Sequence, residues 1–586
     1  MLLNGLEQLE YRGYDSAGIA VGGDGIEVHK REGQLEMLQA AVEELPSRPS
    51  GPVGVGHTRW STHGPPSDEN AHPHTDSDGR VAVVHNGIVE NYQILRDELI
   101  ADGTEFQSQT DTEVIPKLIA AALDKGANPA AALRQTVDRL EGSYALAAAF
   151  ADDDRLLAVR NDSPLVLGVG NEGNYLASDV PAFVEHTRDV VYIEDGEIAI
   201  LSADDWRIVG PDGLPVERSI STVEWDADQA GKGGYDHYML KEIHEQPNAL
   251  RQSLSGRVDE LEARVTIDAV ADVTVPESIQ FVAAGTSYHA SLYGAQLFRS
   301  AGTPAQAFLA SEYATADVPV DEETLVVGVT QSGETADTLS ALRRAQSRGA
   351  RTLALTNVVQ STAARECDTA LYIRAGPEIG VAATKTLSSQ LATINLLCEQ
   401  SVGDRSPGHR TLIRNLRDIP DQLQRVLDWT QAQTVIGEYV DSDAYFFIGR
   451  GLNYPVALEG ALKFKEITYE HAEGFAAGEL KHGTLALVTE ETPVFAVVTG
   501  GGERARKTTS NVKEVEARDA PVVAVTDGRN EVERYADHVL RVPEMHPRLA
   551  PILANVQLQL VAYHHANALG RAIDKPRNLA KSVTVE

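Results

Sequence analysis

Several short stretches of the 586-residue chain carry residue types that could do chemistry. TLVVGVTQSGETADT, Thr324 to Thr338, reads as a buried strand that ends in a hydroxyl-rich loop and passes directly into a helix. Free N–H groups at a helix N-terminus favour an anion, Gly333 lets the main chain approach it, and Thr330, Ser332 and Thr335 add uncharged donors. The loop therefore has the makings of a phosphate cradle, although an ordinary N-cap with turn residues accounts for the same letters. Gly285-Thr286-Ser287 ends another predicted strand, and two hydroxyl loops on neighbouring strands can surround one phosphate.

In PVALEGALKFKE, Pro455 to Glu466, the spacing puts Glu459, Lys463 and Glu466 at i, i+4 and i+7 on one helical face. A solvated ladder of opposite charges fits that spacing. So does a buried general base, because the flanking positions are small and apolar and a desolvated Glu466 would bind its proton more tightly. GELKHG, Gly478 to Gly483, sets His482 on a glycine-flanked loop, as an acid–base group or as a surface residue. The tail from Asp574 to Glu586 alternates apolar and polar groups, which predicts that it docks, and a docked lysine could form a Schiff base with a carbonyl. Near the start, His57, His63, His72, His74 and His85 lie close together without the cysteine or carboxylate company of a metal site, and no metal is expected. Arg59 could take a substrate carboxylate, and Asn86 beside Gly87 has the chemistry of an oxyanion hole.

These residues need a large scaffold. At 63.2 kDa the chain exceeds one core, so two to four domains are expected. No run approaches the ~18 apolar residues of a membrane span, and MLLNGLEQLE has no basic n-region, so neither a membrane partner nor a signal peptide is expected and the protein reads as cytoplasmic. The net charge of −35 opposes nucleic acid and predicts adaptation to high salt, where self-repulsion is screened. Two cysteines, Cys367 and Cys398, read as core residues of a reducing compartment.

Up to about residue 225 short strands dominate, predicted at 53–62, 80–91, 143–150, 155–161, 174–180 and 189–201, with helices at 35–44, 93–102 and 113–125. STVEWDADQAGKGG, Ser221 to Gly234, is the linker candidate. Beyond it strands alternate with long helices, the pattern of a parallel sheet wrapped on both faces. The pattern occurs twice: SIQFVAAGTS answers to AYFFIGRGL at Ala444–Leu452, Thr324–Thr330 to Thr492–Thr499, and RTLALTN at Arg351–Asn357 to APVVAVTD at Ala520–Asp527. Two copies of one doubly wound domain are expected, with the ligand beyond the strands' carboxyl ends. The second copy has Thr499-Gly500-Gly501-Gly502 in place of the hydroxyl loop, which predicts one phosphate site per chain.

LEYRGYDSAG, GHTRWSTHG, NAHPH, HNGIVEN and TDTE resemble the glutaminase domain of the glutamine:fructose-6-phosphate aminotransferase (isomerizing) family, and GTSY, TQSGETADT, GVAATKT, ALEGALKFKEI, GELKHG and PRNLAKSVTVE resemble its sugar isomerase half. The resemblance implies an α/β multidomain protein, an N-terminal-nucleophile-type αββα glutaminase domain (1–225) followed after a linker (226–240) by two SIS domains (241–415 and 416–573) and a tail (574–586). It implies a homodimer acting on fructose 6-phosphate and glutamine without a cofactor. Arg59, Thr62, His63, His72 and Asp111 become glutamine contacts, Asn86 and Gly87 the oxyanion hole, Trp60 the gate of an ammonia channel with Arg12 nearby. Thr286, Ser287, Thr330, Gln331, Ser332 and Thr335 become the sugar-phosphate grip, with Lys463 and Glu459 beside the chemistry. His482 opens the sugar ring, Lys581 forms the imine, and Glu466 moves the proton between C1 and C2.

One departure bears on activity. The family begins with Cys-Gly-Ile-Val-Gly, whose thiol attacks the glutamine amide. Here Met1-Leu2-Leu3-Asn4-Gly5 matches only downstream of that strand, and neither cysteine lies in the glutaminase half. The expectation is a start placed at an internal Met; the alternative is an ammonia-dependent enzyme with a silent glutaminase. A sugar-phosphate-sensing regulator ranks last, since no helix-turn-helix precedes the repeats.

Overall fold

The computed structural model describes residues 1–583 apart from Tyr11, Arg12, Tyr14, Asp24, 60–62, Asp162, 224–231, Gly233, 272–275 and 403–407. Two compact units divide the chain: Met1–Ala230 with Ser582–Glu586, and Gly231–Lys581.

Strict alternation builds the first unit. In the strand Val81–Val89, Val81, Val83 and Val89 point one way and Ala82 and Val84 the other; in Gly142–Phe150, Leu146, Ala148 and Phe150 oppose Ala145, Ala147 and Ala149. The larger set packs on the helices Tyr92–Ala101, Val114–Asp124 and Pro129–Val137. The alanine-rich set faces Ala20, Val53 and Val55 of a three-stranded sheet, Ile26–Glu32, Ser16–Gly22 and Val53–Arg59 in spatial order. Helices Leu2–Leu9 and Leu35–Glu43 cover that sheet's outer face through Leu6, Leu35, Leu38 and Val42. Four layers, α-β-β-α, result. The central sheet has seven antiparallel strands, with Val81–Val89 paired to Gly142–Phe150 along its whole length.

The second unit holds two parallel sheets of five strands. Ala305–Leu309, Ser278–Ala283, Thr324–Val329, Arg351–Thr356 and Thr369–Tyr372 form one; Ala472–Ala476, Tyr445–Gly449, Val494–Val498, Val522–Thr526 and His538–Arg541 form the other. Each sheet places its second strand at one edge, beside the first, and sets the remaining three in sequence order on the first strand's other side. This is the duplication expected from the sequence. One continuous core joins the copies, with helices Tyr238–Leu254, Lys385–Val402, His409–Trp429 and Ala550–Ala568 packed together.

Differences from expectation are local. Ser221–Thr222, at the head of the predicted linker, is a strand paired with Asp189–Val190, because their backbone groups find an open edge there. Helix Tyr238–Leu254 starts within 226–240, its first N–H groups taken by the Asp574 carboxylate, at 2.9 Å for Tyr238 and 3.0 Å for Met239. Helices Leu2–Leu9 and Pro129–Val137 and strands Ser16–Gly22 and Ile26–Glu32 were not expected.

Candidate active site

In the second unit the loop after Thr324–Val329 runs directly into helix Ala336–Ser347, as expected. Thr335 stands at the N-cap, but its side chain makes no capping bond; its hydroxyl pairs with that of Thr330 at 3.0 Å. Thr330 Oγ1 also accepts from Gly333 N (3.1 Å), and Ser332 Oγ from Glu334 N (3.1 Å). Gly333 has φ +72°, and a Cβ there would stand 2.0 Å from Ser361 Oγ. The glycine is thus demanded by the neighbouring loop as well as by any ligand. The second hydroxyl loop, Gly285-Thr286-Ser287, starts helix Gly285–Ser300 at the carboxyl end of the adjacent parallel strand. In the second copy the corresponding place is filled by protein: Asp527 Oδ2 accepts from Gly500 N at 2.8 Å. A carboxylate there opposes an incoming anion.

Glu459, Lys463 and Glu466 lie on helix Asn453–Thr468 in one row, Glu459 and Lys463 buried and the Glu466 side chain 19% exposed at its end. Glu459 and Lys463 side chains are each 1% exposed, so the solvated-ladder reading falls. Lys463 Nζ donates to Glu466 and stands 3.6 Å from Glu459. Burial pushes the Glu466 carboxyl above its ordinary pKa and Glu459 adds to the shift; the Lys463 charge only partly offsets them. Lys463 itself is opposed by burial, yet the two carboxylates hold its pKa above that of an ordinary lysine. Both shifts follow from two carboxylates sharing one ammonium. Glu459 reaches the first copy as well, accepting from Thr286 Oγ1 at 2.9 Å and facing His289 Nδ1 at 2.7 Å.

The tail docks through Lys581, whose side chain is 4% exposed. Its Nζ donates to Glu378 Oε2 (2.5 Å) and to the Gly380 carbonyl (2.8 Å). Its charge acts on the Glu466 carboxyl. Despite complete burial, Glu378 is pulled down to about 2 by Lys581 and by the N–H groups of Thr386 and Thr384. Glu378 and His289 were not singled out from the sequence; Glu378 stands just before GVAATKT, and no spacing rule marks either residue. His482 is exposed on a turn after the short helix Ala477–Lys481, and among the described residues it shares no hydrogen bond or ion pair with Glu466 or Lys581.

In the first unit Arg59, His72, Asn86, Gly87 and Asp111 line one cavity of about 960 Å³. Arg59 is buried and turns its guanidinium onto the His63 and Gly64 carbonyls. Asp111 Oδ2 accepts from Val89 N at 2.8 Å, and Oδ1 stands 3.9 Å from His63 Nδ1. Asn86 and Gly87 do not end their strand. It continues through them, Gly87 at φ +137°, where a Cβ would meet Ser143 O at 2.1 Å. His72 and His85 are buried and His57 half-buried, and the three stack, ring centroids 4.4 Å apart for His57–His72 and 6.4 Å for His72–His85, with His74 edge-on to His72. Burial keeps all four neutral and pushes His57 down to about 3. Thr62, Trp60 and Arg12 lie outside the described residues.

A glutamine amidotransferase domain model matches residues 57–185, and a SIS domain model matches 273–400 and 438–568. The chain is 54% identical over 592 aligned residues to the glutamine–fructose-6-phosphate aminotransferase (isomerizing) of Halobacterium salinarum, covering 99% of this chain and 97% of that one. The chain belongs to this family. The Methanosarcina acetivorans member is 48% identical, covering 100% of this chain and 98% of that one. Among solved structures, the C-terminal domain of glucosamine-fructose-6-phosphate aminotransferase from Francisella tularensis superposes with a TM-score of 0.56 at 35% identity, covering 59% of this chain and all of that one. The αββα unit and the two SIS domains match the architecture expected for the family.

Proposed function

We propose that the chain converts fructose 6-phosphate and glutamine to glucosamine 6-phosphate and glutamate. The first unit releases ammonia from glutamine; the second installs it and moves the carbonyl character from C2 to C1. Family membership over almost the whole chain supports the reaction. The observation that carries the residue assignment is that the Lys581–Glu378 and Lys463–Glu466 pairs lie within each other's electrostatic reach, and that Glu459 beside Lys463 is tied by Thr286 to the phosphate-loop side of the first copy.

In this reading Thr286, Ser287, Thr330, Gln331, Ser332 and Thr335 hold the phosphate. The Lys581 amine adds to the C2 carbonyl and expels water to give the imine; ammonia then displaces the lysine at C2. Glu466, whose pKa is raised by burial so that it binds a proton more tightly than an ordinary carboxylate, takes one from C1 and returns it to C2. Lys463 and Glu459 fix its charge. His482 opens the ring, and the chain acts as a homodimer. In the first unit Arg59, Thr62, His63, His72 and Asp111 grip glutamine, and Asn86 with Gly87 stabilises the oxyanion. Trp60 and Arg12 serve ammonia transfer. No described helix is long and apolar enough to cross a membrane, and the −35 charge favours a salt-rich cytoplasm.

Ammonia-dependent synthesis is the second reading. Cys367 and Cys398 are buried in the second unit with thiols pushed up to about 12, so neither is poised as a nucleophile. The deciding assay measures glucosamine 6-phosphate from fructose 6-phosphate with glutamine and with ammonium in parallel. Product from glutamine supports the first reading; product from ammonium alone, the second. Lys581→Ala should abolish both, and full activity in that variant would refute the imine assignment.

A further inference from the structure

A closed ring of hydrogen bonds surrounds Lys581. Its members come from the turn Glu378–Thr386, the start of helix Tyr238–Leu254 and the base of the tail. Glu378 accepts from Thr384 N (2.9 Å), Thr386 N (3.1 Å) and Thr386 Oγ1 (2.7 Å) besides Lys581, so its carboxylate is fixed from its own chain. Glu242, on the helix, accepts through Oε1 from Ile379 N (2.5 Å) and Gly380 N (3.1 Å). The Gly380 carbonyl in turn receives Lys581. Val381 N donates to Asp574 O at 3.1 Å, and the Asp574 carboxylate caps the helix that carries Glu242. A Cβ at 380 would lie 2.9 Å from Glu242 Oε2, so a larger residue there would displace that carboxylate.

Glu242 itself is 2% exposed, and its Oε2 is shut away from solvent without a hydrogen-bond partner among the described residues. A buried carboxylate oxygen left without a donor is costly, whereas a carboxyl retains its proton there at less expense. The catalytic reading gives Glu242 no task. Its position gives it one, because the charged groups that act on it are Glu378, Lys581 and Lys385, the last paired with Glu245 at 2.6 Å, and Lys241 lies 3.3 Å from Glu245. Burial and Glu378 push Glu242 up to about 8.

We propose that Glu378 and Glu242 are positioning residues for Lys581: Glu378 parks the tail lysine as an ammonium, and Glu242 holds the turn that receives it and sets how readily that ammonium gives up its proton. An ammonium has no free electron pair to attack a carbonyl, so the parked state is unreactive and imine formation requires the proton to leave. Ionised Glu242 adds a second negative charge beside the pair and strengthens the parking. Neutral Glu242 leaves Glu378 to act alone. The inference rests on the imine assignment of Lys581 above.

The test incubates the full chain with fructose 6-phosphate and borohydride from pH 6 to 10 and follows the reduced adduct on Lys581 by peptide mass. Glu378→Gln keeps the shape and removes the charge. Its trapping profile should move to lower pH by at least one unit, which is about tenfold more adduct on the rising limb. Glu378→Asp should restore the wild-type position. Glu242→Gln imitates the protonated carboxyl, and its trapping rate should match wild type below pH 7 and exceed it several-fold above pH 8. Absence of any Lys581 adduct in the wild-type chain overturns the imine assignment itself. An adduct in wild type with unshifted profiles in both Glu378→Gln and Glu242→Gln overturns the positioning role, and thermal unfolding of each variant identifies loss of fold, which a profile shift does not mimic.

Discussion

The Glu459 carboxylate is held from the opposite copy of the repeat, with Thr286 Oγ1 donating to one oxygen at 2.9 Å and His289 Nδ1 2.7 Å from the other. Lys463 approaches from its own helix at 3.6 Å. Replacing Glu459 by Ala leaves a buried lysine with a single partner and orphans Thr286 and His289. Breaking a buried pair of this kind costs about 3–5 kcal/mol. Urea unfolding should show that loss, with a much smaller one for Glu459→Gln, which keeps the acceptor for Thr286.

Glu466 makes a kinetic prediction. Its pKa is raised by burial and by Glu459, so the carboxylate needed as a base appears only above the ordinary glutamate range. The acid limb of the synthesis rate should lie at a correspondingly higher pH. Glu466→Gln should lower kcat by about 10²–10⁴-fold, the usual worth of a general base, with little change in fructose 6-phosphate affinity. Equal losses in kcat and in binding would point to a structural role.

The proposed oxyanion hole of Asn86 and Gly87 predicts a separation of the two nitrogen donors. Asn86→Ala should reduce glutamine-dependent synthesis about 10²–10³-fold, as loss of an oxyanion donor does, and leave ammonium-dependent synthesis intact. The comparison requires a preparation that uses glutamine. A parallel fall with ammonium would count against the oxyanion assignment.

The histidine stack predicts acid lability of the first unit. His57, His72, His74 and His85 have folded-state pKa values depressed by burial, His57 to about 3. Their unfolded-state value is near 6.5, so the unfolded chain binds more protons below it. Their stability contribution is complete above about pH 6.5 and drains away as pH falls toward 3. Calorimetric unfolding from pH 8 to 4 should show Tm falling below pH 6.5, and a flat profile would contradict a neutral stack.

Salt should stabilise the protein. With 86 acidic against 51 basic residues, screening relieves net repulsion. Thermal unfolding is expected to rise steadily from dilute buffer into molar potassium chloride. A maximum in dilute buffer would sink the salt-adapted reading.

Much of the architecture was legible because its signals are local. The repeated strand–loop–helix order gave both parallel sheets, and the Glu459–Lys463–Glu466 spacing gave the shared helical face, while spacing alone favoured a solvated ladder and only the packed helix shows Glu459 and Lys463 buried. The first sheet's hairpin was missed because Gly22-Gly23-Asp24-Gly25 breaks the period between two seven-residue strands, one buried and one largely open. Helix Pro129–Val137 had its signal, an Asn128 side chain accepting from Ala131 N at 2.9 Å ahead of a proline, and went unread. Glu378, Glu242 and His289 could not be found by spacing. Their partners stand 203, 137 and 170 positions away, and only the closed sheets bring them together.

Asp527 gives the duplication a further meaning. Asp527 holds the Gly500 amide from within the second sheet, whereas in the first sheet the loop's own hydroxyls, Thr330 and Ser332, take the Gly333 and Glu334 amides. In the proposed reading one half of the repeat keeps its carboxylate and the other exchanges its own hydroxyls for cargo. Hydrogen exchange on adding sugar phosphate should slow around Thr330–Thr335 and leave Thr499–Gly502 unchanged, so that the inert half serves as the fixed wall against which the substrate is gripped.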